Sequence, residues 1–247
     1  MIGTRRERTG WIAACGVAEG QRRAGIGHAL LTETLAAFEL QGCERVLVGG
    51  PGEAYLIPGV DPQRYPAVRL LERMAFIATG STFGMDVDLS GDFDAPEQPS
   101  GAAFRHAGPA ERPAVEAMIA ACLSQSWATH LHDHDGWDRV TVAFIDGRPV
   151  GFAAFDMSPG CPGRFGPTGV SPDARGRGLG TALLRHTLAA MRAAGHDRAW
   201  FLWGPTGAAG LAMYRSAGFQ VTRRFEFYTR TFASATGACN RGESNGH

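Results

Sequence analysis

Lysine is absent from this chain. All 24 basic residues among its 247 are arginine, balanced by 24 Asp and Glu, so the formal net charge is zero. Without lysine there can be no Walker A phosphate loop, no pyridoxal Schiff base and no kinase-type lysine on ATP phosphates. Zero net charge argues against a generic polyanion binder, so no nucleic-acid partner is expected. No stretch approaches the roughly 18 apolar residues of a membrane span. The start, Met1 to Arg8, leads into no apolar run of a secretory signal. The expectation is a cytoplasmic protein with no membrane partner. Five scattered cysteines (Cys15, Cys43, Cys122, Cys161 and Cys239) contain no C-x-x-C and read as reduced thiols, not a disulfide framework or zinc ribbon. What is plentiful is glycine, at 34 residues, together with alanine and arginine, the usage of a GC-rich genome.

The chain resembles itself. Gly16-Val17 through Arg22-Arg23-Ala24-Gly25-Ile26-Gly27 to Leu31 lies over Gly169-Val170 through Arg175-Gly176-Arg177-Gly178-Leu179-Gly180 to Leu184, 153 positions later. The match persists through Thr34 to Ala37 over Thr187 to Ala190, then Gly42 over Gly195 and Arg45 over Arg198. Ala75-Phe76 matches Gly218-Phe219 at a spacing of 143, so the first copy carries about ten extra residues, within the Pro/Gly-rich stretch Pro51 to Pro66. The expected organisation is a duplication: a partial domain over 1–89, a linker over 90–102, a complete domain over 103–231 and a disordered tail over 232–247. The second copy, with 14 Arg against 10 acids, is the basic one, as an anionic ligand there would require.

Periodicity supplies the elements. Leu179, Leu183, Leu184, Leu188 and Met191 recur at helical spacing and stop near Gly195; Leu30, Leu31, Leu35 and Phe38 do the same and stop at Gly42. Val46 to Val48 and Ala199 to Trp203 read as short buried strands. Val140 to Ile145 and Pro149 to Phe155 flank Asp146-Gly147, a hairpin signal. Val115, Met118, Ile119, Cys122 and Leu123 mark another amphipathic helix. The fold class is α/β with a mixed sheet. The first copy has only about 15 residues before its glycine motif, room for a single strand, and lacks the leading half of the pattern.

The glycine loop sits between a strand and an amphipathic helix, where free N–H groups and the positive end of the helix dipole suit a pyrophosphate. Walker A fails for want of lysine, and the Rossmann G-x-G-x-x-G fails because Thr181 and Leu183 stand at the third-glycine positions. What remains is Arg-x-x-Gly-x-Gly, as Arg175/Gly178/Gly180 and as Arg22/Gly25/Gly27. With Val170-Ser171-Pro172 before it and Tyr214-x-x-x-Gly218-Phe219 after it, the second copy resembles the GNAT superfamily of acyl-CoA-dependent N-acyltransferases. The resemblance covers about 103–231 fully and 10–89 partly, giving two GNAT-like domains, the first without its leading strands and helices.

That resemblance implies acetyl-CoA as co-substrate. The backbone amides of Arg175, Gly176, Arg177, Gly178, Leu179, Gly180 and Thr181 would hold its pyrophosphate. Val170 would pair with pantetheine and turn its amide on the thioester carbonyl. Tyr214 would protonate the departing thiolate, a phenol near pKa 10 being protonated at neutral pH yet close to a thiol near 8.5. The acceptor would be a primary amine of a small molecule, a protein N-terminus or a lysine, with a homodimer a further expectation. In the first copy Leu71 stands in the place of Tyr214, so the second copy is expected to catalyse and the first to be structural, to line the acceptor cleft or to keep vestigial CoA binding. The alternative is a non-catalytic CoA-binding or subunit-contact protein.

Three further features stay open at this level. His130-Leu131-His132-Asp133-His134 has alternating histidines, but as a polar segment before a hairpin it reads as a loop, with acceptor lining or base among its roles; no metal site is expected. Asp156, at the end of a strand, is another base candidate. Trp200, Phe201 and Trp203 are core first and pantetheine lining second, and Pro51 to Pro66, with Tyr55 and Tyr65, is either a cleft cap or a surface insertion.

Overall fold

The computed structural model describes residues 2–49, 58–91, 99–133, 136–204 and 207–232. In chain order the elements are β1 (Ile2–Arg6), β2 (Thr9–Ala14), α1 (Ile26–Leu40), β3 (Arg45–Val48), α2 (Tyr65–Arg73), β4 (Ile77–Asp88), β5 (Ala102–Arg105), α3 (Arg112–Cys122), α4 (Gln125–His132), β6 (Val140–Ile145), β7 (Arg148–Phe155), β8 (Phe165–Val170), α5 (Leu179–Ala193), β9 (Arg198–Phe201), α6 (Ala208–Ser216) and β10 (Gln220–Thr231). The spacing seen in the sequence recurs in the elements. α5 lies 153 positions after α1 and β9 153 after β3, with equal lengths. α6 lies 143 after α2 and β10 143 after β4, again with equal lengths. Among the described residues no helix is long and apolar enough to cross a membrane.

The chain divides into two compact units, residues 1–82 with 224–247, and residues 83–223. In the first, β1 and β2 form an antiparallel hairpin, β3 runs parallel to β2, and Tyr228–Thr231 of β10 runs antiparallel to β3. One strand was expected ahead of the glycine motif; two short ones fit because Glu7, with φ +53°, turns the chain tightly. That turn carries no Asn-Gly or Asp-Gly to announce it. Ile12, Leu31, Leu35, Phe38, Val46 and Leu71 form this unit's core.

In the second unit β5, β6, β7 and β8 form an antiparallel sheet in that order. Successive side chains of β6 and β7 enter different cores, as strand geometry requires. Ala143, Ala153 and Phe155 join Leu183, Leu184, Leu188 and Met191 of α5 on one face. Val142, Phe144, Phe152 and Ala154 join Val115 and Ile119 of α3 and Leu131 of α4 on the other. Each leucine so buried contributes about 2 kcal/mol. β9 pairs antiparallel with Met85–Asp88 of β4. Thus the strand that follows α2 in sequence serves β9, and the strand that follows α6 serves β3.

α3 opens on a charge-assisted clamp. Glu111 accepts hydrogen bonds from both terminal nitrogens of Arg105, at 2.7 and 2.6 Å, and from the Gly108 N–H at 2.8 Å. Arg105 foremost, then the amide, lowers the carboxyl from 4.5 to about 2. Because the folded value lies below the unfolded one, the clamp's stabilisation is present above pH 4.5 and is lost as pH falls towards 2. Between those limits the melting temperature of Glu111→Gln should fall less steeply than that of the native chain. Parallel slopes in a pH series of thermal melts would refute this.

Candidate active site

The chain leaves β8 at Val170, makes one 3-10 turn over Pro172–Ala174, and enters α5 through a loop with two left-handed residues, Gly176 at φ +77° and Gly178 at φ +76°. Gly178 is the N-cap, and with no side chain it leaves the first N–H groups of α5 without a side-chain acceptor. The amides of Leu179, Gly180 and Thr181 therefore add to the positive end of the helix dipole at a site suited to an anion. The Leu179 side chain points into the core at 2% exposure, so what it offers a ligand is its amide. Arg175 Nε donates to the Val170 carbonyl at 3.2 Å, which ties the loop back onto β8. Gly180 has a different duty. A Cβ there would stand 3.2 Å from Met213 Sδ and 4.0 Å from Val170 Cγ2, so this glycine lets α6 close on α5.

The first-copy loop repeats this geometry. Gly25 is an N-cap at φ +78°, Arg22 Nε donates to the Val17 carbonyl at 3.2 Å, and a Cβ on Gly27 would stand 3.2 Å from Leu70. Arg23 occupies the place of Gly176 and still takes φ +68°. The two copies part at Leu71, which is core at 5% exposure and has no proton to give.

β8 has one open edge. The Ser171 N–H donates to the Val150 carbonyl of β7 at 2.8 Å. By strand alternation, the neighbouring N–H of Val170 faces away from β7. On that side β9 is a parallel neighbour at one place, the bridge Arg164↔Trp200, with Trp200 N–H donating to the Gly163 carbonyl at 2.9 Å. Among the described residues no further bridge joins β8 to β9. The register of β7 on β8 shifts between Ala153 and Phe155, where β8 carries Gly166 and Pro167, and Pro167 has no N–H to offer a neighbour. In the first unit β2 and β3 stay paired through all four residues of β3. The second unit therefore has a wedge between parallel strands, with the Val170 amide on its edge.

Tyr214, on α6, is 8% exposed. Its ring centroid lies 4.7 Å from that of Phe201, 5.4 Å from Phe219 and 6.1 Å from Phe165. Burial in this aromatic setting pushes the phenol's pKa up, so it stays protonated across the physiological range. Among the described residues no hydrogen bond engages its hydroxyl. The sequence points to the tyrosine, to Phe219 in its motif and to Phe201 as core, but carries no signal for Phe165, about 50 positions earlier in the chain. Leu123, marked in the sequence only by its helical spacing, also borders this strand. Its Cδ1 would be 2.8 Å from a Cβ on Gly169, so it closes over the α3 side of β8 and only glycine fits beneath it.

The histidine segment is expected from sequence to be a loop; instead His130 to His132 form the last turn of helix α4, with Asp133 as its C-cap. Ser124 caps α4 by accepting from the Trp127 N–H, and Ala128 and Leu131 are buried beneath it. Two positions on a helix lie about 200° apart, so His130 and His132 share no face. His130 Nε2 is 2.7 Å from the Met157 carbonyl, and His132 Nδ1 is 3.1 Å from Glu116 Oε2. His134 lies outside the described residues, and no group of three metal-ligating side chains occurs among those described. Asp156 is engaged through both oxygens. Its Oδ1 accepts from the Gly163 N–H at 2.7 Å and its Oδ2 lies 2.7 Å from His196 Nε2. It sits by the C-terminal end of α5, whose 15 residues put about 22 Å between that end and the glycine loop. Trp200 Nε1 donates to the Pro162 carbonyl at 2.9 Å. Of the Pro51 to Pro66 insertion, residues 51–57, Tyr55 included, lie outside the described residues, as do 92–98 of the linker and 233–247 of the tail; Tyr65 opens α2 and is exposed.

Three solved structures share this fold. A GCN5-related N-acetyltransferase from Sphaerobacter thermophilus is 20% identical, with a TM-score of 0.74 over 92% of this chain and 74% of that one. A tandem GNAT protein from the clavulanic acid biosynthesis pathway is 20% identical, with a TM-score of 0.68 over 91% and 75%. A GCN5-related glucosamine N-acetyltransferase region of a fungal multi-domain GH3 beta-N-acetylglucosaminidase is 17% identical, with a TM-score of 0.75 over 90% of this chain and 30% of that one. No curated protein matches the sequence. Residues 1–76 and 108–219, well over half the chain, match the Acetyltransferase (GNAT) family, and the chain belongs to that family of acyl-transferring proteins.

Proposed function

We propose that this chain moves an acetyl group from acetyl-CoA to a primary amine, and that the second copy performs the chemistry. The observation that carries this reading is the uncapped, doubly left-handed loop at the head of α5 beside the open edge of β8. The first-turn amides would hold the pyrophosphate, and the pantetheine arm would lie in the wedge as an added strand, taking the N–H of Val170. The same amide would polarise the thioester carbonyl. The acceptor, as the free amine, attacks that carbonyl carbon, forms the C–N bond and releases its surplus proton to solvent or to a group on the acceptor side. Collapse of the tetrahedral adduct breaks the C–S bond, and the leaving thiolate takes the proton of Tyr214, which solvent then restores. Asp156 stands by the far end of α5 from the glycine loop, and no base is assigned.

The duplication belongs to this reading. Gly27 against Leu70 and Gly180 against Met213 are the same helix contact at the spacing of the repeat, which supports descent of both halves from one ancestor. Loss of Tyr at position 71 then leaves the first copy a structural partner.

Release of free thiol from acetyl-CoA by the purified chain, over a panel of amino sugars, amino acids, polyamines and peptide N-termini, tests the activity. Glucosamine belongs in the panel because one protein of this fold is named for it. Gly178→Val, which forces a β-branched residue to φ near +76°, should raise KM for acetyl-CoA by about 10-fold or more, on the order of 1–3 kcal/mol of backbone strain. Saturable CoA binding with no thiol release for any amine would instead leave the non-catalytic CoA-binding reading. An unchanged KM in Gly178→Val would remove the loop from the CoA site.

A further inference from the structure

The second unit contains a cavity of about 510 Å³ remote from the glycine loop, at the opposite end of α5. Ala190, Ala193 and Ala194 of that helix end form a small-residue wall, and Phe155 closes it with an aromatic edge. Its polar groups are His106, Asp138, Arg139, Asp156 and His196, from four separate chain segments.

Their free valences can be counted. Each oxygen of Asp156 already has one partner inside the protein. His196 engages Asp156 Oδ2 through Nε2, which leaves Nδ1 for a ligand. The Nδ1 of His106 lies 2.9 Å from the Val140 carbonyl, which can only accept, so Nδ1 donates there and Nε2 is left for a ligand. Asp138 and Arg139 are exposed, and among the described residues neither side chain has a hydrogen bond or an ion pair. α5 also ends here, adding the negative end of its dipole. The site thus presents one unspent cationic fork, one unspent carboxylate and two imidazole nitrogens beside a helix C-terminus. An anion alone would meet Asp138 and the helix end, and a cation alone would meet Arg139. A ligand with both charges satisfies both.

We propose that this cavity binds a small zwitterion, a free amino acid or dipeptide, with its ammonium towards Asp138 and the imidazole nitrogens and its carboxylate on Arg139. A guanidinium fork takes a carboxylate through two parallel hydrogen bonds, and the alanine wall leaves room for the rest of the ligand. The site needs neither CoA nor Tyr214, so it is independent of the acetyl-transfer reading.

Isothermal titration of the full chain, without CoA, with the common amino acids and a set of dipeptides is the test. Each ligand is paired with its C-terminal amide and its N-acetyl form. At least one zwitterion should bind saturably, with affinity at least tenfold higher than either blocked form. Arg139→Gln and Asp138→Asn should each weaken it at least tenfold, while Gly178→Val, at the far end of α5, should leave it unchanged. Absence of saturable binding across the panel overturns the proposal. So does binding that survives in the Arg139→Gln/Asp138→Asn double variant, or that is lost in Gly178→Val, since each places the ligand elsewhere.

Discussion

Tyr214→Phe is expected to lower kcat for acetyl transfer by about 10²- to 10³-fold, the usual worth of a positioned general acid, with little change in KM for acetyl-CoA. The phenyl ring keeps its packing against Phe165, Phe201 and Phe219. Among the described residues the hydroxyl has no partner to lose, so removing it leaves no orphaned group behind. The melting temperature should therefore stay within about 3 °C of the native value. A fall in kcat at constant KM and stability marks an interaction made on the way to the transition state. Burial raises the phenol's pKa, so the pH profile of kcat should show no tyrosine limb below pH 10. If kcat is unaltered in Tyr214→Phe, another group protonates the leaving thiolate.

A large loss of stability is expected from Gly163→Ala. Gly163 precedes β8 at φ +74°, and a Cβ there would lie 2.6 Å from the Arg198 carbonyl oxygen. That oxygen is backbone at the start of β9, whose residues are held in register by Met85–Asp88, so it cannot swing aside as a side-chain tip would. Alanine in the left-handed region costs about 1–2 kcal/mol, and overpacking adds about 1–3 kcal/mol, for a total of about 3 kcal/mol or more. Gly176→Ala is the matched control. Its φ is +77°, but a Cβ would meet nothing within 4 Å, so only the conformational part applies, and Arg23 already holds that conformation in the first copy. Urea denaturation of the two variants should separate them by at least about 1 kcal/mol. Equal losses would mean that the strand junction yields.

The glycine loop was legible because its chemistry is local. A backbone that must turn left-handed twice within three residues favours glycine, and a helix that must start there shows its apolar stripe within two turns. The hairpin at Asp146-Gly147 was legible for the same reason, both residues taking positive φ. Where local signals are weak the reading missed. α4 is short and carries polar histidines over two buried residues, too few to set a period. The Glu7-Arg8 turn has no residue that favours positive φ. Asp156 and His196 are 40 positions apart, and nothing local tells either of the other. The wedge is less legible still, because it consists of bonds that two strands do not make.

The pairing of β4 with β9 and of β10 with β3 has an evolutionary consequence. A gene fragment covering 103–231 would encode β9 without the strand that flanks it, and its last four residues would be left seeking β3. The half that bears Tyr214 therefore cannot shed its companion by a single deletion. Selection on either copy thereby preserves the other's polypeptide, and a copy with no task of its own would be kept as scaffold, its loop geometry carried along with it.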